Sequence, residues 1–148
     1  MISIIQRVTQ ASVNIQEKEY SRINHGYCIL VGIFEEDSTQ DVMKSVEKIL
    51  ILRIMSDSEG KMNKSIIDTG GEILLVSQFT LCADISGGRR PSFIKAKKPD
   101  EAKLLYEEMI KQFTARGISV KTGKFGHYMD VQIHNDGPVT IVVNSKDC

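Results

Sequence analysis

The 148-residue sequence has no tryptophan, only three prolines and three cysteines, and no net charge, because 19 Lys and Arg residues balance 19 Asp and Glu residues. Proteins that bind nucleic acid or membranes over much of their surface usually carry an excess of cations. The zero net charge argues against that class of protein. Any binding to a polyanion would therefore have to use a local patch of basic residues. A chain of this length buries about 70% of its unfolded surface, enough for one core without disulfides or a structural metal. We expect one domain spanning residues 1–148.

Long hydrophobic runs are also absent. The longest stretch without a charged or strongly polar residue, 27–34, is far shorter than the roughly 20 apolar residues that span a bilayer, and no basic segment followed by a long apolar run opens the sequence. We therefore expect a cytoplasmic protein with no membrane partner.

Cys28, Cys82 and Cys148 are odd in number and form no CxxC pair, which fits neither a disulfide framework nor a zinc site. We expect free thiols, two in the core and one at the terminus.

The pattern of apolar residues predicts an α+β domain. Alternation over 2–15 predicts a long, bent strand, and an apolar run over 72–81 predicts a central strand. Helical spacing predicts one helix over 39–52 and another that begins at Pro99 and stops before Gly117. The order of elements predicts a curved, largely antiparallel, barrel-like sheet covered by two helices. The remaining predicted elements are turns at 17–19 and 135–138 and strands at 21–23, 27–34, 119–121, 129–134 and 139–144.

Two positions on these strands carry possible chemistry. Arg7 shares the register of Ile5, and a buried cation is costly unless it is paired or hydrogen-bonded. Alternation leaves open whether Arg7 is buried and paired or lies at a sheet edge in solvent. In the run 72–81, alternation places Gln78 and Thr80 on one face. If that strand end opens, its free N–H groups suit an oxyanion, and the alternative is a strand that simply leaves the core.

The segment 87–99 is the one clear candidate for binding a polyanion. It carries five cations, one aromatic residue and no acid in an otherwise neutral chain. Such a segment suits phosphate groups, and Phe93 suits stacking on a base. A solvated loop with Phe93 anchored in the core is the alternative, and the pattern does not decide between them.

No nucleophile and base are linked by a sequence motif. His25, His127 and His134 are isolated, and no G-x-S-x-G, H-E-x-x-H or P-loop occurs. Thr80 has no evident activator. The residues alone therefore predict no metal site.

Two segments resemble the signature motifs of the D-aminoacyl-tRNA deacylases, editing enzymes that remove D-amino acids from tRNA. Those segments are 77–81 (SQFTL) and 135–140 (NDGPVT). Four others resemble that family's segments in the family's order: 6–8 (QRV), 57–63 (DSEGKMN), 90–93 (RPSF) and 122–126 (TGKFG). The sequence departs from the family at His127 and Tyr128, where small or apolar residues are more common, and at Cys82, where Ala is usual.

The resemblance implies a compact homodimer with its active pockets at the dimer interface, no cofactor, and a partner that is the 3′-aminoacyl adenosine end of tRNA and not DNA. It implies that backbone N–H groups around the catalytic positions Phe79 and Thr80 hold the scissile ester carbonyl. Ser77 and Gln78 would shape the adenosine pocket, and Met129 would be a further substrate-binding neighbour.

The same resemblance implies how chirality is read. Gly137 and Pro138, joined by a cis bond and supported by Arg7, would be inserted from the partner subunit and would clash with an L side chain. The free ribose 2′-OH of the substrate would assist attack on the ester. Glycine has no side chain to clash, so glycyl-tRNA would be a secondary substrate.

Three alternatives stay open at this point. Thr80 as a covalent nucleophile is a variant of the same ester hydrolysis. A non-catalytic tRNA-binding module using the basic residues of 89–98 is a different class, as is a thiol enzyme that uses Cys82.

Overall fold

The computed structural model describes residues 1–148, and its sheet is built around one long N-terminal strand. β1 (Ile2–Ile15) pairs antiparallel with β8 (Asp130–Asn144) along one edge. Along its other edge it pairs antiparallel with β3 (Gly26–Gly32) and then with β2 (Lys18–Ile23). β6 (Glu72–Ser77) and β7 (Val120–Thr122) extend the sheet beyond β3 in parallel pairings. A separate hairpin contains β4 (Met55–Ser56) and β5 (Met62–Lys64).

The sheet curves until its two ends meet. β2 and β7 do not pair as strands, but the Ser21 hydroxyl on β2 donates a hydrogen bond of 2.8 Å to the Thr122 carbonyl at the end of β7. The result is a nearly closed, barrel-like sheet in which most neighbours are antiparallel. This confirms the predicted fold class.

Three α-helices accompany the sheet, namely α1 (Thr39–Ile51), α2 (Ile66–Thr69) and α3 (Pro99–Ala115). The Asp41 carboxylate accepts a 3.0 Å hydrogen bond from the Ser38 N–H, which caps the start of α1. α3 begins with Pro99, whose missing N–H costs nothing at that position. These two helices were predicted nearly to the residue.

α2 was not predicted. It is a single turn capped by Ser65 and Asp68 and ended by Gly70, which has a φ of +62°. The Ser65 N–H donates to the Asp68 carboxylate at 2.8 Å. A serine followed three residues later by an acid, with a glycine soon after, was the available signal.

Three other boundaries differ from the predictions. The first turn falls at Gln16 and Glu17, both with positive φ, so residues 18 and 19 belong to β2 rather than to a turn at 17–19. β6 ends at Ser77 instead of continuing to residue 81. The 135–138 segment lies inside β8, as a bulge rather than as a turn between two strands.

Two apolar cores lie on opposite faces of the sheet. The larger one, between the sheet and the helices α1 and α3, includes Ile5, Ile29, Val46, Leu75 and Phe113. The smaller one fills the inside of the curved sheet and includes Val8, Val13, Ile23, Cys28 and Leu74.

The three thiols are free and lie where they were predicted. Cys28 and Cys82 are buried and Cys148 is exposed. None of the helices has the length and apolar character needed to cross a lipid bilayer.

Candidate functional site

The main cavity of the site has a volume of about 750 Å³ and opens where β6 ends. One wall is the segment that follows β6, and the facing wall comes from residues 125–129, between β7 and β8. The start of α3 and the residues before it close the third side. Predicted site residues lining the cavity are Ser77, Gln78, Phe79 and Met129, and eleven of its eighteen lining residues are hydrophobic.

A 3-10 turn at Phe79–Cys82 replaces the strand end that the sequence predicted. The prediction that Gln78 and Thr80 share a face of a strand is therefore wrong, because the strand has ended before Thr80. The two side chains still contact each other, since the Gln78 amide donates a hydrogen bond to the Thr80 hydroxyl. The Phe79 and Thr80 N–H groups open the turn and have no carbonyl partner within it. No side chain caps the turn. Phe79 lines the cavity, whereas Thr80, the next residue, is exposed and is not part of the lining.

Phe79 and Phe93 form an aromatic wall of the cavity. Their ring centroids lie 5.1 Å apart in an edge-to-face arrangement, and both rings line the cavity. Phe79 remains 57% exposed, so one face of this pair is available to a ligand. Phe93 is not anchored in the core, because its ring is 37% exposed and packs against Phe79.

Met129 packs against the peptide backbone that follows β7. A Cβ added to Gly123 would lie 2.8 Å from the Met129 sulfur, so glycine is what lets the thioether lie there. The Lys124 N–H donates to the same sulfur at 3.2 Å. Met129 therefore has a fixed position in the cavity wall, although methionine is the most adaptable of the long apolar side chains.

Arg7 is buried, with 6% of its surface exposed, and its bonds reach two distant segments of the chain. Its Nη1 donates to the Ile54 carbonyl at 2.8 Å and to the Ser56 hydroxyl at 3.2 Å. Its Nε donates to the Asp136 carbonyl at 3.2 Å and lies 3.1 Å from the Asp136 carboxylate. The buried, paired alternative for Arg7 is thus the one that the structure shows.

The segment around Gly137 bulges out of β8. Gln6 pairs with Thr140 and Val8 with Asn135, so residues 136–139 lie opposite Arg7 alone. The Gly137–Pro138 peptide bond is cis, and Gly137 has a φ of +122°, which an L side chain rarely adopts. Both residues are exposed and lie outside the cavity of their own chain.

The basic segment is only partly free. Lys95 pairs with Asp84 at 2.8 Å, and Lys97 donates to the Glu35 carbonyl and lies 3.7 Å from Glu101. Arg89, Arg90 and Lys98 form no ion pair. Of these three only Lys98 lines the cavity, so one unpaired cation lies at its mouth.

Cys82 is unsuited to nucleophilic catalysis. Its side chain is buried and does not line the cavity. Burial, and then the nearby Asp37 carboxylate, raise the pKa of the Cys82 thiol to about 11. The thiolate is therefore a minor species near neutral pH. No group of three or more His, Cys, Asp or Glu side chains is arranged to hold a metal ion.

Reasoning from the sequence missed most of the wall opposite the signature segment. On that wall the structure adds Phe125 and Tyr128. On the third side it adds Ala96, Lys97 and Pro99, which the sequence placed only in a candidate polyanion-binding segment. It also adds Ile54, Ser56 and Asp136 as the partners of Arg7. The TGKFG segment was noticed, but only as part of a resemblance.

The fold and the site together define a small α+β domain with a largely apolar cleft, peptide donors on one wall and a cation at its mouth. A family model described as D-Tyr-tRNA(Tyr) deacylase matches residues 4–144. A D-aminoacyl-tRNA deacylase of Thermoanaerobacter sp. (strain X514) is 49% identical over 146 residues, which are 99% of this chain and 98% of that protein. The chain belongs to this deacylase family and is, as a member, a carboxylic ester hydrolase.

Two solved structures resemble the chain along its length. One, described as c-Myc DNA Unwinding Element Binding Protein, has a TM-score of 0.92 and 42% identity, and the match covers 97% of this chain and 98% of that one. The other, a probable eukaryotic D-amino acid tRNA deacylase, has a TM-score of 0.83 with the same coverage. At 17% identity this second match shows a shared fold alone.

Arg7→Ala should lower the free energy of unfolding by about 2–4 kcal/mol, because it leaves the buried Ile54 carbonyl without a donor and Asp136 without its cation. Urea unfolding monitored by circular dichroism measures the change. The control is Arg22→Ala, which removes an exposed pair with Glu19 and should have little effect. Equal stabilities of the two variants would contradict the bridging role of Arg7.

Proposed function

We propose that this protein hydrolyses the ester bond of D-aminoacyl-tRNA and releases free D-amino acid and tRNA. The observation that carries the proposal is the position of the SQFTL segment: its first three residues line the main cavity, and the turn that begins at Phe79 opens with two peptide N–H groups free of partners within the turn. An ester hydrolase needs hydrogen-bond donors of this kind to stabilise the negative charge that develops on the carbonyl oxygen. Cleavage of this kind would act as proofreading in translation.

The main role of the protein in this reaction is to hold and polarise the ester. The Phe79 and Thr80 N–H groups would bind the carbonyl oxygen as negative charge develops on it. Water attacks the carbonyl carbon, the bond to the ribose 3′-oxygen breaks, and that oxygen takes up a proton. The neighbouring ribose 2′-OH, held close to the reacting carbon, would assist the water without any base from the protein.

The cavity walls suit the terminal adenosine. The Phe79 and Phe93 rings offer an aromatic surface for the adenine base, and Ser77 and Gln78 offer polar groups beside it. Met129 would close the opposite side. Lys98, unpaired at the mouth, would meet a phosphate of the RNA.

Gly137 and Pro138 would select chirality from the partner subunit. Both are exposed on the bulge of β8 and absent from their own cavity, which supports a role in the cavity of a second copy. Arg7 would fix the bulge through Asp136. Main chain held in this way would clash with an L side chain but would admit a D-aminoacyl or glycyl group.

A homodimer with shared active sites follows from this arrangement. β8 is an edge strand, and its Val142, 60% exposed, lies beside the partly exposed Ile4 of β1. Apolar groups on an open edge favour burial against a second copy. We also propose a cytoplasmic location, which suits three free thiols.

A non-catalytic tRNA-binding module is the second candidate, and the free Arg89, Arg90 and Lys98 favour it. DNA is a less suitable partner for this chain, because these cations form one local group rather than a continuous basic face. The binding module predicts tRNA binding that weakens with salt, no turnover and no dependence on Pro138.

Hydrolysis of matched D- and L-aminoacyl-tRNA tests the proposed function. At equal concentrations we expect the D ester to be cleaved at least about a hundredfold faster, with the glycyl ester between the two, because only the L side chain meets rigid main chain. Release of labelled amino acid measures the rates. Equal rates for D and L esters, or binding without release, would remove the proposal and favour the binding module.

Thr80→Ala should retain most of kcat, because the Thr80 hydroxyl accepts a hydrogen bond from Gln78 and has no base beside it, whereas its N–H survives the substitution. Single-turnover rates on D-aminoacyl-tRNA measure the effect. A loss of about a thousandfold with an unchanged circular dichroism spectrum would restore Thr80 as a covalent nucleophile.

Val142→Lys should weaken self-association at least about tenfold, because it places a charge on the apolar edge proposed to be buried. Sedimentation velocity over a range of concentrations measures the association. Leu104→Lys is the matched control, since Leu104 is a similarly exposed apolar residue on α3. A wild-type chain that sediments as a monomer while active would rule out shared active sites.

A further inference from the structure

Tyr128 is the most exposed large side chain at the site. Its surface is 96% exposed, although it directly precedes Met129 of the cavity wall. Burial of the ring therefore contributes almost nothing to folding. Neither the core nor the proposed chemistry accounts for a bare aromatic ring at this place.

Tyr128 and His127 lie between two cavities. Both residues line the main cavity, and both line a second cavity of about 660 Å³. The His127 Nδ1 lies 3.0 Å from the Phe125 carbonyl, a contact that restrains this wall. The two cavities therefore adjoin at these two residues.

The second cavity differs from the first in chemistry. Only two of its eight lining residues are hydrophobic. Besides His127, the polar ones are amides and carboxylates: Asn14, Gln16, Glu17, Asp130 and Gln132. Carboxylates repel phosphate but accept hydrogen bonds from the exocyclic amino groups of cytosine and adenine, and amides bond to base edges. The cavity suits the edge of an amino-bearing base and does not suit a phosphate.

Phosphate groups have a separate place nearby. The unpaired Lys98 lies at the mouth of the main cavity, and none of the second cavity's lining residues is Lys or Arg. Charge therefore divides the surface into a cationic side for a backbone and an anionic, amide-lined side for a base, with the Tyr128 ring between the two cavities. Aromatic rings beside cations are how proteins hold unpaired nucleotides.

We propose that Tyr128 is a stacking platform for the nucleotide that precedes the terminal adenosine, with the edge of that base directed into the second cavity. The inference rests on the proposed function, because it assumes that the terminal adenosine occupies the main cavity. It makes Tyr128 a positioning residue for the RNA end, with no contact to the reacting ester. His127 forms the wall between the two bases.

Kinetics on two substrates test this role. Tyr128→Ala should raise KM for D-aminoacyl-tRNA about tenfold with little change in kcat. For D-aminoacyl-adenosine, which lacks the preceding nucleotide, the rise in KM should be several-fold smaller. Tyr128→Phe keeps the ring and should retain the wild-type KM. Tyr20→Ala is the matched control, since Tyr20 is an exposed tyrosine outside both cavities.

Equal losses on the two substrates would overturn the proposal, because the ring would then act on the ester or the adenosine itself. A shift of Tyr128→Ala toward monomer in sedimentation would also overturn it, since a second copy would then cover the ring. Failure of the proposed function would give a different result, because the wild-type protein would then turn over neither substrate. In that case, binding of the labelled trinucleotide CCA is compared with binding of adenosine monophosphate. The proposal requires Tyr128→Ala to weaken trinucleotide binding about tenfold and adenosine monophosphate binding several-fold less, and equal losses would overturn it.

Discussion

The buried guanidinium of Arg7 is the interaction on which the geometry of the β8 bulge depends. A cation removed from water needs acceptors on several sides, and the chain supplies them from the segment leading into β4, from β4 itself and from β8. Because guanidinium is planar and rigid, these acceptors cannot shift independently. The four residues at 136–139 are therefore held in one arrangement opposite a single residue of β1.

Most of the fold could be predicted from the sequence, because its main elements carry strong periodic patterns. The long β1 and the two longer helices follow from alternation and helical spacing, whereas register alone left the burial of Arg7 open. The end of β6 could not be predicted. SQFTL contains neither Gly nor Pro, so nothing in it signals that the backbone changes from strand to 3-10 turn after Ser77. Instead, the turn is favoured by tertiary packing, because Leu81 and Cys82 lie directly over Gly32 of β3.

The site was predictable on one wall only. The residues of SQFTL that line the cavity are contiguous in sequence, so a single motif contains them. The facing wall is assembled because β7 pairs in parallel with β6 and brings Phe125 to Met129 across the cleft. Such pairing is a property of the whole sheet, and no local pattern expresses it. The bulge in β8 was misassigned as a turn because NDGP has turn composition, whereas pairing with β1 resumes at Thr140.

The 3-10 turn at Phe79–Cys82 contributes peptide groups, rather than reactive side chains, to the cavity edge. A peptide N–H is lost only when its residue becomes proline. In the genetic code every threonine codon is one base from a proline codon, whereas both phenylalanine codons are two bases away. A single-nucleotide mutation can therefore remove the peptide N–H of Thr80 but not that of Phe79. The two donors thus differ in how easily point mutation eliminates them.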